Sequence, residues 1–550
     1  MTRLLRHAVP LWSGLLTLLV CMPLLAAGYV LSYDMVWVPH LALTRADVWG
    51  LGSALPRAVP SDAFAGVLGS IIPAAIVQKV VLTGAILLAS LGVGRLLREY
   101  PLIVQLAAMT MYVWNPFVAE RLVLGHWPLL VAYAAIPWLI SAMRSPDGVR
   151  RPAVTLALAA TALTPATGLM GALIAFAVRG REQNFRLALQ VLAVNAPWIV
   201  AGFIHSPIAR SDGAAVSLFD LQPEGHFGHV GAALSLGGIW NIDVVPSSRG
   251  FVSAVIFAAV MWTVMVIGLS VLWQKDRRLL LGLSFSGAIG FALALSGWVA
   301  PEAMASLVGA VPGAGILRDG TRYLLLLAPI QAVTFGFGVH AVCGFVRALQ
   351  MRQFVSVLAL LIPIVALPDL AWGVGGALKT TEYPASWKAA RVAIQTSNVA
   401  GDILVLPFSS YRKPEWNGGT PVLDPAGRFF DRETVTNDVL SVSGKEIVGE
   451  DPRAERIARF LDSPRPASAL AKEGIGIVVV ETDAGHVDER VFRGMTKIES
   501  GDGMNVFTVD KVEPRKGSAA NRFAMIAAWT VAFLTLCLAG TKAIVKRLKR

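Results

Sequence analysis

Residues 111–138 read MYVWNPFVAERLVLGHWPLLVAYAAIPW, and they decide the fold. Two ionised side chains, Glu120 and Arg121, stand together in the middle with His126. The charge-free runs 101–118 and 127–143 lie on either side. A run of this length without charge reads as a membrane-crossing helix, because the hydrocarbon core offers ionised groups nothing to bind. The same pattern recurs along the chain, near 10–32, 187–204, 251–273, 279–297, 323–346, 354–368 and 523–541, and at 75–94, where Lys79 alone interrupts it. The composition agrees. Of 550 residues 55% are hydrophobic and 15% charged, and mean hydropathy is +0.61. These values exclude a disordered chain and a disulfide scaffold, and the repeated charge-free runs argue against a single soluble domain.

The net charge of +12 is a topology signal. The segments holding Arg3 and Arg6, Arg95 and Arg98, Arg144 to Arg151, Arg179 to Arg186, Lys275 to Arg278, Arg347 and Arg352, and Lys542 to Arg550 carry 20 basic residues. They carry only four acidic ones, Glu99, Asp147, Glu182 and Asp276. The alternate short loops, with Arg210 among their few basic residues, are acidic on balance. The positive-inside rule puts the first set and both termini in the cytoplasm. Nucleic acid is not an expected partner, since the basic residues do not cluster on one folded face. The first run exceeds a typical signal-peptide core and reads as a retained span. Cys21, Cys343 and Cys537 lie in separate apolar runs and read as inert buried thiols.

Residues 152–178 break the alternation, because both flanks are basic. Thr164-Pro165-Ala166-Thr167-Gly168 stands at the centre, and Pro and Gly there interrupt a helix. The reading is a hairpin of two half-helices entering and leaving on the cytoplasmic side. One long span with a misplaced basic loop is the other possibility. The expected fold is thus an α-helical polytopic membrane protein with about ten full spans plus this hairpin. Residues 1–374 form the membrane domain, and 521–550 are a last span with a basic cytoplasmic tail.

Residues 375–520 differ. Their 19 basic and 21 acidic side chains nearly cancel. Asp402–Phe408 (DILVLPF), Ile475–Glu481 (IGIVVVE) and Asn505–Val509 read as strands, and Asp451–Leu461 as a helix with Pro near its start. This predicts a small extracytoplasmic α/β domain. Its loop Tyr411–Arg432 (YRKPEWNGGTPVLDPAGRFFDR) is long, and long loops often carry function, although a solvated surface loop has the same composition. No nucleophile-elbow, zincin, phosphate-loop or dinucleotide motif is present.

Three places hold candidate chemistry. Asp34, just beyond the first span, is placed to accept a proton from a sugar hydroxyl. A solvated helix-end aspartate looks the same in sequence. In the 111–138 run, Asn115-Pro116 marks a helix end, and Glu120, Arg121 and His126 crowd a short outer loop. There Arg121 suits a phosphate. Trp114, Trp127 and Trp138 suit an interfacial belt better than a substrate platform. In Ile316–Arg322 (ILRDGTR), Arg318 and Arg322 flank Asp319, an arrangement for a lipid-linked phosphate or for a structural ion pair. His226 and His229, with Asp220 and Glu224, have loose metal-like spacing on a loop.

SYDMVWVPH around Asp34, WNPFVAERLVLGHWPLLVAYAAIPW, the TPATG hairpin and LRDGTRYL together resemble the multi-span GT-C glycosyltransferases of actinobacteria. Within that class the likeness is to the mycobacterial and corynebacterial arabinofuranosyltransferases. It covers about 375 residues of membrane domain. It implies an inverting glycosyltransferase of the plasma membrane that serves cell-wall biogenesis. Arabinofuranose or mannose would pass from a polyprenyl-phosphate donor to a cell-envelope glycan on the outer side. By this resemblance Asp34 is the catalytic base. Arg318, Arg322 and Arg121 would bind the donor phosphate, with Glu120, His126 and Asp319 in support. No cofactor is assigned with certainty, no metal ligand is assigned, and a divalent metal is left open. A lipid or glycan flippase and a non-catalytic envelope assembly protein are the competing classes. The spans hold few ionisable residues (Lys79, His340 and Asp369 lie in or near them), which weighs against ion-coupled transport.

Overall fold

The computed structural model describes residues 2–179, 184–208, 211–442, 445–447, 449–461, 463, 465–513, 515 and 517–548. Arg181, Glu182, Arg210, Lys549 and Arg550 lie outside the described residues. Among the described residues the principal helices of the membrane part are α1 (Thr2–Cys21), α2 (Ala74–Leu96), α3 (Leu102–Val113), α4 (Pro116–Val123), α5 (Trp127–Met143), α6 (Pro152–Thr161), α7 (Pro165–Val178), α8 (Asn184–Ile204), α9 (Val252–Lys275), α10 (Arg277–Val299), α11 (Ala328–Phe345), α12 (Leu349–Ala366) and α13 (Ala519–Leu548), with shorter helices in the connecting loops. Among the described residues nine helical stretches are long and apolar enough to cross a membrane, α3 and α4 counting as one. The expected tenth, α5, has 17 residues. That is about 26 Å at 1.5 Å per residue. It is short because the chain turns at Gly125-His126 on one side and reaches Arg144 on the other.

The passes alternate in direction, and the loops at one end meet each other. Asp276, between α9 and α10, bonds Arg144 after α5 and is reached by Tyr100 at 3.5 Å. Lys546 near the end of α13 lies 2.6 Å from Asp147. The hairpin is also present. A Cβ on Gly171 of α7 would strike Thr161 at the end of α6, so the two short helices fold back on each other. Thr164 caps α7 through its hydroxyl, in a capping box with Thr167. Gln190, early in α8, bonds the carbonyl of Val149 ahead of α6 at 3.2 Å. The hairpin therefore enters and leaves at the face where the basic loops gather.

At the opposite face sits the α/β domain. Its five-stranded sheet has the order Met495–Gly501, Met504–Val509, Ile475–Glu481, Asp402–Leu406, Thr434–Val435. The first two pairings are antiparallel and the last two parallel. Ile475–Glu481 is buried throughout, because both faces of the sheet are covered. Ile403, Val405, Ile477 and Val479 pack beneath Trp387 and Ile394 of the helix Ala385–Thr396. The alternate residues Leu404, Leu406 and Val478 pack against Ala454, Ile457 and Leu470. Asp402–Phe408 is a shorter strand than the sequence predicts, since Pro407 cannot donate to the ladder.

The domain is joined to the membrane part by more than its two chain connections. Tyr29–Val30 pairs with Thr380–Thr381 as a two-stranded ladder. Leu31, Val36, Val38 and Leu41, all from the first outer loop, share the apolar cluster on the Trp387 face of the sheet. The loop after Tyr411 runs along that same segment. Leu423 N donates to Tyr33 O at 2.8 Å, and Asn417 Nδ2 donates to Leu31 O at 3.2 Å.

Candidate functional site

Asn115 accepts a hydrogen bond from Val118 N at 3.1 Å, and Pro116 is the first residue of α4. Asn115-Pro116 thus begins a helix as well as ending one. Pro at that position loses no bond, and an Asn cap satisfies an orphan N–H. As a result Glu120 and Arg121 lie on a helix rather than in a short loop; the turn is only Leu124-Gly125-His126. That turn is held against the first outer loop. Asp34 N donates to Leu124 O at 3.0 Å, and Ser32 Oγ to Val123 O at 2.6 Å. Gly125 has φ +82°, and a Cβ there would fall on the backbone of Met35 and Ser32. Only glycine lets the two chains approach this closely.

The approach places His126 Nε2 3.1 Å from Asp34 Oδ2. On its other side the ring nitrogen Nδ1 lies 3.2 Å from Arg121 Nη1. A guanidinium only donates, so Nδ1 must accept and Nε2 must carry the proton. His126 is therefore neutral and donates to Asp34. Burial, joined by the fields of Arg121 and Arg322, holds its imidazole below the ordinary value despite the pull of Asp34.

Tyr411, from the α/β domain, donates to the other carboxylate oxygen of Asp34. Burial, then the charge of Asp34, pushes the phenol well up, so it stays protonated and able to donate. For Asp34, burial acts to raise the pKa. The hydrogen bonds from His126 and Tyr411 and the nearby Arg428 outweigh it, and the carboxyl lies below its usual range. Its side chain is walled in by protein yet keeps 40% of its surface open. It faces a narrow cleft lined by Trp37, Asp62, Trp127 and Arg428. A carboxylate that is ionised, oriented by two donors and accessible is equipped to take a proton.

The chain of contacts continues through Arg121, whose side chain is 1% exposed. Its Nη1 reaches Asp319 Oδ2 at 3.2 Å, and its Nη2 reaches Thr321 Oγ1 at 2.6 Å. Arg322 holds the same carboxylate oxygen through Nε and Nη2, at 3.2 and 3.0 Å. Burial opposes ionisation of Asp319, but the two guanidiniums win and hold it well below the carboxylate range. Arg121 thus commits both Nη groups within the protein, while its buried Nε makes no hydrogen bond. Arg322, with 28% of its side chain exposed, remains open on one side.

Arg318 leaves Asp319. It reaches Glu450 Oε1 of the α/β domain at 3.3 Å, beside Arg57, which reaches Glu450 Oε2 at 2.6 Å. Burial and the charge of Arg57 bring Arg318 down to about 10, still cationic at neutral pH. The two guanidiniums expected to flank Asp319 are therefore split, with Glu450 taking one. The field of Asp34 reaches Arg57, Arg322 and Arg428, and Arg318 feels both Arg57 and Arg322. Asp34, His126, Arg121, Asp319 and Arg322 are thus joined in one continuous set, with Arg318 beside it.

Glu120 faces the other way, toward Glu224 and Arg249. Glu224 receives Arg249 Nε at 2.6 Å. This also uses up the acid that stood near His226 and His229, whose ring stacks on Trp298. Among the described residues no three His, Cys, Asp or Glu side chains gather as a metal-holding group. Four contributors were not singled out from the sequence: Tyr411, Arg428, Arg57 and Glu450. The first two lie in the loop Tyr411–Arg432, whose length and Pro, Gly and charge content were the available signal.

The architecture is mostly helical, with nine membrane-length helical stretches among the described residues and a small sheet domain. A solved structure of the arabinofuranosyltransferase AftD from Mycobacteria matches it at TM-score 0.55 and 16% identity, over 92% of this chain and 40% of that one. A structure of a single-residue mutant of the same enzyme, in its class 2 form, matches at TM-score 0.55 and 16% identity, over 93% of this chain and 42% of that one. The chain spans about two fifths of the length of these neighbours, and the likeness is one of fold. No family model and no curated protein matches the sequence.

Proposed function

We propose that the protein is an inverting glycosyltransferase that moves a sugar from a polyprenyl-phosphate donor to a cell-envelope glycan. The face bearing Asp34 is then the outer side of the plasma membrane, and both termini are cytoplasmic. The reading rests above all on one observation: an accessible ionised carboxylate, Asp34, with two fixed donors, stands among cationic side chains that the protein itself only partly neutralises. Arabinofuranose is the sugar favoured by the fold neighbours, with mannose the other expectation.

In this mechanism Arg322 and Arg318 bind the donor phosphate, while Arg121 positions His126 and Asp319 rather than touching the donor. The acceptor hydroxyl gives its proton to Asp34. Its oxygen forms a bond to the anomeric carbon as the bond from that carbon to the phosphate oxygen breaks, and polyprenyl phosphate leaves with the electron pair. Attack opposite the leaving group inverts the centre. Arg322 and Arg318 stabilise the charge that grows on the leaving oxygen. His126 and Tyr411 hold the carboxylate in place.

The test is transfer by purified protein from polyprenyl-phosphate arabinose, and separately mannose, to cell-wall acceptors. Asp34→Asn should abolish turnover while membrane insertion and folding persist. Unchanged turnover in that variant would remove Asp34 as the base. A wild-type protein that moves intact lipid between leaflets without cleaving either donor would instead establish a flippase.

A further inference from the structure

A second cavity lies apart from the cleft at Asp34. It has a volume of about 880 Å³ and lies between the end of α8, the start of α13, the loop around Thr44–Ser53 and the α/β domain. Its two ends differ in chemistry. At the domain end, Arg45, Arg453, Arg456, Arg515 and Arg522 line the wall with a single carboxylate, Asp451. At the membrane end the lining is Ile204, Ile208, Met525, Ile526 and Trp529. Exposed Phe203 and Phe523 continue this apolar surface outward on α8 and α13.

The acids that pair with these arginines stand behind them. Arg45 is held by Asp47, Arg456 by Glu473 at 2.8 Å, and Arg515 only loosely by Asp402 and Glu433, at 3.6 and 3.7 Å. Arg453 is buried. Its Nη1 is 2.7 Å from Asp402, yet neither that nitrogen nor Nε makes a hydrogen bond of good geometry. Among the described residues Arg522 has no acidic partner. The cavity thus presents five guanidiniums against one carboxylate at one end, with Arg515 and Arg522 weakly paired or unpaired and two Arg453 nitrogens unbonded, and hydrocarbon at the other, at the level where α8 and α13 leave the apolar zone.

We propose that this cavity is a binding site for an anionic phospholipid. The phosphate sits against Arg453, Arg515 and Arg522, and the acyl chains descend beside Met525, Ile526 and Trp529. Guanidinium pairs suit a phosphate diester, and an interfacial basic pocket between helices attracts acidic headgroups. A free glycan or a peptide would leave the apolar half of the cavity unmatched. The site is separate from the Asp34 cleft and does not rest on the glycosyltransferase reading. The two are divided by the Glu450-Asp451 pair: Glu450 faces Arg57 and Arg318, and Asp451 lines the cavity.

The experiment uses the full chain in a neutral detergent. It is exchanged into mixed micelles of dioleoyl-phosphatidylglycerol or dioleoyl-phosphatidylcholine and stripped through serial dilution, with bound lipid counted by native mass spectrometry. Phosphatidylglycerol should persist on the wild type at least tenfold longer than phosphatidylcholine. Arg515→Gln with Arg522→Gln should erase that preference, and Thr530→Trp, which fills the membrane end without touching an arginine, should weaken retention too. Each variant is checked for an unchanged elution profile. Equal retention of the two lipids, or an unchanged preference in the double arginine variant, would overturn the proposal. So would displacement of the lipid by millimolar inorganic phosphate, which would mark a site for a free anion.

Discussion

Tyr411 donates a hydrogen bond to Asp34 across a separation of 377 residues, from the α/β domain to the first outer loop. The candidate base is therefore held by both parts of the chain. Tyr411→Phe removes a donor that favours the ionised carboxylate, so the Asp34 pKa must rise. A charge-assisted bond of about 1.5 kcal/mol corresponds to about one pH unit. The acid limb of the kcat/KM profile should move upward by about that amount, with little change at high pH. An unmoved limb would show that Tyr411 does not control Asp34.

Arg121 and Asp319 are both almost wholly buried. Removing one member of such a pair strands the other, at a cost of about 3–5 kcal/mol. Arg121→Met should lower Tm markedly. Arg121→Lys should recover part of the loss but not the geometry, since one ammonium cannot reach Asp319, Thr321 and His126 together. The depressed pKa of Asp319 fixes the sign of the pH dependence. Its stabilisation is complete above the ordinary carboxylate range and is lost only as pH falls through the lower folded value. Wild-type Tm should hold between pH 7 and 5 as far as this group is concerned.

Gly125→Ala alters no charge and lies outside the helices, yet it should reduce transfer by about 100-fold, the scale expected when a catalytic group is displaced by about an ångström. The added Cβ needs the space where Met35 and Ser32 run. Near-normal turnover in this variant would mean that the Asp34–His126 contact is dispensable.

Arg322→Gln and Arg318→Gln should each raise the KM for donor and lower kcat, by about tenfold or more, from the loss of a charged hydrogen bond worth about 1.5–3 kcal/mol. A KM for acceptor that rises instead, with donor binding intact, would reassign these arginines to the glycan.

Much of the fold was legible because charge-free runs are long and the bilayer tolerates few alternatives. The hairpin could be read at Thr164-Pro165, where helix breaker and cap coincide. The strands at 402 and 475 stood out as unbroken apolar runs. Within the site, Asp34, His126, Arg121, Asp319 and Arg322 were all visible as charges beside spans. What could not be read was direction. Nothing local to Glu120 says that it turns toward Arg249, or that Arg318 abandons Asp319 for Glu450. Tyr411 and Arg428 reach the site through the pairing of a domain loop with residues 31–33 and the ion pair of Arg428 with Asp62, and such contacts leave no periodic trace in either segment.

The ladder between residues 29–30 and 380–381 has a mechanical consequence. A domain sewn to the first outer loop, and leashed to spans at both its ends, is tied at three places and must break the ladder to swing away. With the ladder intact, the narrow cleft at Asp34 is the opening the carboxylate presents.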